Sequence, residues 1–282
     1  MKETKKYGLP SLKRDFPTEE ACLDFIFDTL HSRKCSCGGV YARLKDRKQY
    51  QCSKCRFQIA PMVGTIFEKS PTPLSLWFQA VLAFSSSKSG ISSKQMQRQL
   101  EVTYKCAWRI LNQIRKALKQ GGQLDRVVEV DATHIGGINK KSATRYDNKT
   151  PVMVAIQRSG EMRAEVAKNL TMEEHKNFME KYIKSGSIVL TDGARIYKNS
   201  TKGYTRLSVE YRKGEYVRGS VHINKVETFF SHLKRSLRGT HKSISRQHLQ
   251  SYLDAFVFHY NNRHSDKARF EALLGNLLRL AK

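Results

Sequence analysis

A multidomain α+β fold is predicted by three features of this 282-residue chain. Cysteines pair near the front as Cys35-x-Cys37 and Cys52-x2-Cys55. Apolar residues recur with a helical period up to Gly121-Gly122, and beyond it they gather into short runs typical of buried strands. The formal charge of +26 is spread along the whole chain rather than held in one tail.

Each feature narrows the reading. With 39% hydrophobic residues the chain can bury real cores, so its charge does not signal disorder. Fifty-one Lys and Arg against 25 Asp and Glu make a field that concentrates a polyanion, with binding that weakens as salt rises. Double-stranded DNA fits better than an anionic membrane. No apolar run approaches ~18 residues, and no amphipathic segment sets a clean basic face beside a strong apolar one. The opening MKETKKYGLPSLKRDF has charge but no apolar core, so secretion is not expected and a cytoplasmic, nucleoid-associated protein is. In that compartment six cysteines favour metal over disulfides.

Residues 1–70 read as a basic arm, a helix and a ribbon. Leu23, Ile26, Phe27 and Leu30 share one helical face, with Asp15 or Thr18 as its cap. Fourteen residues separate the two cysteine pairs, enough for a two-stranded ribbon around one structural Zn²⁺ on Cys35, Cys37, Cys52 and Cys55. The single residue inside the first pair tightens that knuckle and leaves His31 as a substitute ligand. Cys22 and Cys106 lie outside the cluster and read as buried thiols.

Residues 71–122 read as three helices. In the last, Ala107, Ile110, Leu111, Ile114 and Leu118 form an apolar stripe opposite a basic face. A short helix opening at Ser92 or Ser93, a tight turn and this basic helix match a helix-turn-helix, with Tyr104, Lys105 and Arg109 reaching a DNA groove. A plain helical bundle with a solvated basic face has the same periodicity.

Residues 123–265 then give three strands, a helix, a strand and further helices, the order of a ribonuclease-H-like α/β core with a mixed sheet. Residues 266–282 are expected to be a C-terminal tail. Asp131 lies within the first strand and Asp192 closes IVLTD. A carboxylate at a buried strand end is costly unless it holds a cation or several hydrogen bonds. Glu227 falls on a helix whose packed face is Ile223, Val226, Phe230, Leu233 and Leu237. Asn224, Glu227, Ser231, Lys234 and Arg238 follow the neighbouring face. Three acids in a basic protein suit two divalent ions that activate an attacking oxygen and stabilise a leaving one. Each acid alone also has an ordinary reading as a strand-end or solvated helix residue.

The stretches VEVDATHIGG, VLTDGARIY and HINKVETFFSHLKRSLRGTHKSISRQHLQSYLDAFVFHYNNR resemble the catalytic domain of DDE-type insertion-sequence transposases. The similarity is to the zinc-ribbon group called ISXO-two-like transposases. CSKCRFQ, GTIFEKSPTPLSLW and TYKCAWRILNQIRKAL resemble that group's ribbon and helix-turn-helix. The resemblance implies that Asp131, Asp192 and Glu227 hold two Mg²⁺ or Mn²⁺ ions, with Asn224 the alternative third ligand. It implies DNA contacts for Lys234, Asn224, His222 and Arg238, and that Gly136 and Gly137 let the strand turn close to substrate. For Tyr260, Asn261 and Arg263 it leaves a structural or DNA-contacting role open. Ala132 and Ala255 depart from the group, which usually has acids there. The expected enzyme binds terminal inverted repeats, cuts phosphodiesters and joins the freed 3′-hydroxyl to target DNA, as a homo-oligomer. A silent DNA-binding regulator and a ribonuclease-H-like repair nuclease are the alternatives.

Overall fold

The computed structural model describes residues 6–137 and 149–279. The chain divides into two compact units, residues 1–117 with 262–282, and residues 118–261.

The first unit begins with helices α1 (Leu9–Asp15) and α2 (Glu19–Leu30). Helix α1 occupies what the sequence suggested was arm. Thr18 caps α2 by accepting from Ala21 N at 3.2 Å, and Cys22, Leu23, Ile26 and Phe27 bury its inner face. The ribbon is three short antiparallel strands, β1 (Tyr41–Arg43), β2 (Tyr50–Cys52) and β3 (Gln58–Ile59). Phe27 stacks on Tyr50 with ring centroids 3.9 Å apart, fastening α2 to the ribbon. Helices α3 (Leu74–Ser86), α4 (Ser93–Leu100) and α5 (Tyr104–Ala117) follow. Ser92 caps α4, Glu101 ends it in the left-handed region at φ 54°, and α5 starts three residues later. All five predicted stripe residues of α5 and its exit are buried.

The expected C-terminal tail is instead helix α10 (Asp266–Leu278), capped by Ser265 and packed on α3. Phe270, Leu273, Leu274 and Leu277 recur at helical spacing and are buried. Buried Arg269 fixes this helix by donating to the carbonyls of Ser85 and Asn262, each at 3.0 Å. Short length and terminal position hid a clear periodicity.

The second unit holds a five-stranded sheet: β4 (Val127–Ile135), β5 (Thr150–Gln157), β6 (Met162–Val166), β7 (Ile188–Asp192) and β8 (Thr205–Val209). Their spatial order is β6-β5-β4-β7-β8. The first three form an antiparallel meander, while β7 pairs parallel to β4 and β8 parallel to β7. This mixed order is that of a ribonuclease-H-like core. Helices α6 (Met172–Tyr182) and α7 (Ile196–Ser200) make the crossovers and pack on one face. Helices α8 (Asn224–Ser236) and α9 (Arg246–Asn261) cover the other, over Val152, Val154 and Ile156. Asn261 has a structural job, its side-chain oxygen accepting from Met162 N at 2.8 Å.

Candidate active site and metal centres

Sheet register brings Asp131 and Asp192 side by side. The last ladder pair between β4 and β7 is Glu129 with Leu190. Both aspartates therefore stand two residues beyond it, on neighbouring parallel strands. Strand alternation puts Asp131 on the face of Glu129 and Thr133, which is the face that carries α8. Asp131 accepts from Ala132 N at 2.8 Å, and Asp192 accepts from Ala194 N at 3.1 Å in a tight turn. Arg206 steadies the end of β7, donating to Thr191 Oγ1 at 2.9 Å and to the Asp192 carbonyl at 2.8 Å.

Helix α8 runs beside β4 in the same direction. Its start is tied where Lys225 N donates to Glu129 Oε2 at 2.9 Å, and its end where Lys234 Nζ donates to Thr133 Oγ1 at 2.8 Å. Nine helical residues rise ~13.5 Å and four strand residues span ~13 Å, so the two elements stay in step. Glu227, exposed in the first turn of α8, stands between those ties. The predicted packed face of α8 and its exit is buried throughout.

The electrostatics show that the acids feel one another. Burial pushes the Asp131 carboxyl up to about 7, and Asp192 and Glu227 push the same way, against the Ala132 N–H and the Lys234 ammonium. Beneath them the Tyr197 phenol is raised by burial and then by Asp131 and Asp192. Tyr211 is raised by burial, by Glu227 and by the two aspartates. A carboxyl pushed up chiefly by burial, with two further acids acting the same way, is a site short of positive charge, and divalent cations suit it. The cysteine quartet, however, is the one group of three or more ligand side chains whose ligand atoms all lie within 4.8 Å of one another, among the described residues. The three acids do not form a group that tight.

The cysteine centre is closed. Cys35 and Cys55 Sγ lie 3.7 Å apart, and Cys37 and Cys52 Sγ 3.4 Å apart. A tetrahedron with metal–sulfur bonds of ~2.3 Å has edges of ~3.8 Å, whereas a disulfide is ~2.05 Å. The tight first knuckle turns at Gly38, φ 78°, and a Cβ on Gly39 would meet Cys52 Sγ at 2.4 Å. The Tyr41 hydroxyl and the Cys37 N–H donate to Cys35 and lower its thiol to about 6. His31 plays no part in the quartet; it ends α2 with its ring against Phe27. Cys22 is buried as expected, and Cys106 is half-buried, 3.5 Å from Thr72 Oγ1.

The remaining predicted contacts divide. Tyr104 and Lys105 are exposed on α5, with Lys94 Nζ 5.0 Å from the Tyr104 ring centroid. Arg109 is engaged within its own unit. Its guanidinium turns inward, donating to Thr72 Oγ1 at 2.7 Å and lying over Trp77, because position 109 borders the apolar stripe. Trp108, which sequence reasoning passed over, takes the exposed place beside Tyr104 one turn away. Lys234 and Arg238, with Ser231, Arg235 and Gly239, line an open basic cavity of about 550 Å³. Arg238 and Gly239 sit in a π-helical turn, Leu237–His241, that follows α8. Asn224 is exposed at the first position of α8, while His222 Nδ1 lies 3.6 Å from Glu129. Glu129 was also missed, although the period of two from Asp131 was its signal.

The profile of a family described as ISXO2-like transposase domain matches residues 123–261. An uncharacterized protein in transposable element ISH50 of Halobacterium salinarum is 28% identical over 236 residues, 77% of this chain and 79% of that one. Among solved structures, a Mos1 transposase paired-end complex with left transposon end has a TM-score of 0.33 at 15% identity, covering 72% of this chain and 80% of that one. A pre-cleavage Mos1 transpososome has a TM-score of 0.31 at 13% identity, covering 72% and 75%.

Proposed function

We propose that this chain, whose residues 123–261 match the ISXO2-like transposase profile, is an insertion-sequence transposase with Asp131, Asp192 and Glu227 as its phosphoryl-transfer site. The three acids would hold two Mg²⁺ or Mn²⁺ ions, with Asn224 the alternative to Glu227. Bound there, the ions supply Lewis-acid stabilisation of the attacking and leaving oxygens of a DNA phosphodiester. Asp131 must give up its proton to serve, and Lys234 favours that ionised form. Lys234 also stands at the far end of the acidic row, held out by Thr133, where its ammonium meets a backbone phosphate. Arg238 and Arg235 extend the basic track along the cavity beside it.

Residues 123–265 would cut and join; the ribbon within 1–70, on one Zn²⁺, and the helix-turn-helix within 71–122 would bind the terminal repeats. Tyr104, Lys105 and Trp108 present the groove-facing side of α5. Two ends are joined in one event, so the acting form is a homo-oligomer on DNA in the cytoplasm. No helix among the described residues is long and apolar enough to cross a membrane.

The observation that carries this reading is geometric: α8 is tied to β4 at Glu129 and Thr133, the two residues that flank Asp131 on its strand face, and it carries Glu227 between those ties. Its test is Mg²⁺-dependent cleavage and joining of DNA taken from either side of the gene. Asp131→Ala and Asp192→Ala should each abolish cleavage and leave end binding intact. Retained cleavage in either variant defeats the assignment.

A further inference from the structure

Helix α8 starts without a cap of its own. Its N-cap residue is Ile223, whose side chain accepts nothing, whereas Thr18, Ser92, Thr171 and Ser265 each cap their own helices. The missing acceptor comes from the neighbouring strand. Glu129 Oε2 takes Lys225 N at 2.9 Å, while Glu129 Oε1 takes Arg158 Nε at 3.1 Å and faces His222 Nδ1 at 3.6 Å. Arg158 reaches further, donating to the Ser220 carbonyl at 2.6 Å and the His222 carbonyl at 3.0 Å. One carboxylate and one guanidinium thus hold the peptide that leads into α8 at several points.

Glu129 is 0% exposed, and burying a charge there has a cost that an apolar side chain would avoid. Its placement gives a reason to bear that cost. Glu129 precedes Asp131 by two residues on the same strand face, and Lys225 precedes Glu227 by two residues on the helix. The bond between them ties the two acid-bearing elements together one short step from the acids. Helix α3 uses the same device away from any acid cluster: Glu19 of α2 accepts Leu74 N at 2.8 Å and Ser75 N at 2.9 Å. There the carboxylate joins two helices and also takes Lys48 Nζ of the ribbon at 3.3 Å, whereas at α8 it bears on the height and rotation of Glu227 against the aspartates.

We propose that Glu129, with Arg158, is a positioning residue: it locks the start of α8 to β4 and thereby fixes Glu227 relative to Asp131 and Asp192. This deepens the assignment of those acids as the metal-holding site and rests on it.

The test uses the full chain with three readouts: amide hydrogen exchange, Mn²⁺ affinity by electron paramagnetic resonance, and cleavage of end DNA. In Glu129→Leu the Lys225 amide should exchange about 10-fold faster, while amides of β5 and β6 stay protected. Mn²⁺ affinity should fall about 10- to 100-fold, with cleavage falling in step and end binding unchanged. Glu129→Gln restores an acceptor for Lys225, so it should recover amide protection and part of the Mn²⁺ affinity, a rescue that mere loss of packing would not show. Unchanged exchange at Lys225, or unchanged Mn²⁺ affinity, in a folded Glu129→Leu overturns the proposal. Should that variant not fold, Arg158→Lys decides: wild-type Mn²⁺ affinity and wild-type protection at 222–225 there overturn it equally. A wild-type chain that binds no Mn²⁺ at all, yet shows the Lys225 response, sinks the metal-site reading and leaves the lock standing.

Discussion

The cysteine centre and the acidic centre are built on opposite plans. The four cysteines lie within a short stretch of chain and meet through two tight turns, with sulfur contacts of 3.4 and 3.7 Å. The three acids come from a strand, a second strand and a helix, and their oxygens are not drawn into one cage. A structural metal needs all its positions filled, whereas a catalytic pair must leave positions open for substrate. The difference teaches where each site's stability comes from. On the proposed reading the ribbon would be held by its ion, and the acidic site by the sheet around it.

The most severe way to break this contrast is to empty the cysteine centre. Cys52→Ser, or treatment with a strong chelator, should unfold the ribbon and abolish binding of end DNA, since structural zinc contributes ~10 kcal/mol to such modules. Sheet amides of residues 150–166 should stay protected, and hydrogen exchange would show it. Collapse of both regions together would erase the distinction.

Removing an acid should do the reverse. Asp192→Asn should lower cleavage by about 10³-fold, judged from the loss of one preorganised electrostatic group, with little change in the unfolding midpoint.

A pH titration sharpens the same point. Asp131 has a folded-state value of about 7, above its ordinary 3.8, so folding disfavours its ionised form. Without metal, stability should therefore decline as pH rises from about 4 through 7, by at most ~4–5 kcal/mol for this group. Asp131→Asn should flatten that slope, and Mg²⁺ should raise stability more at pH 8 than at pH 5. Thermal unfolding at the two pH values checks all three, and a slope that survives Asp131→Asn would assign it elsewhere.

The smaller effects lie on the surface. Lys234→Ala should weaken DNA binding and reduce the salt slope by about 1, the signature of one lost phosphate contact. On α5, Trp108→Ala should weaken end binding with stability kept, whereas Arg109→Ala should cost about 1 kcal/mol of stability by releasing Thr72. Equal effects of the two on binding would put Arg109 back in the groove.

Much of this was legible because it is local. Thr18 and Ser92 announced two helix starts, the stripe from Ala107 to Leu118 announced α5, and the cysteine spacing announced the ribbon. Asp131 and Asp192 were found because each ends or interrupts an apolar run. The contact of Arg109 with Thr72 was not legible, because helical periodicity gives a face but not the direction of a long side chain at its border. Glu129 was overlooked because an acid between two valines shows no partner until the helix that needs it is folded alongside.

The amino-acid order by itself determined most of the elements and the cysteine quartet and singled out the three acids, since each signal depends on neighbours within a turn or a strand. Only the tertiary structure decided that β4 and β7 lie in a register that aligns two aspartates, and that α8 is tied to β4 at both ends. Those choices depend on pairings between residues about 60 to 100 positions apart, and backbone hydrogen bonding is the same whichever strands are joined.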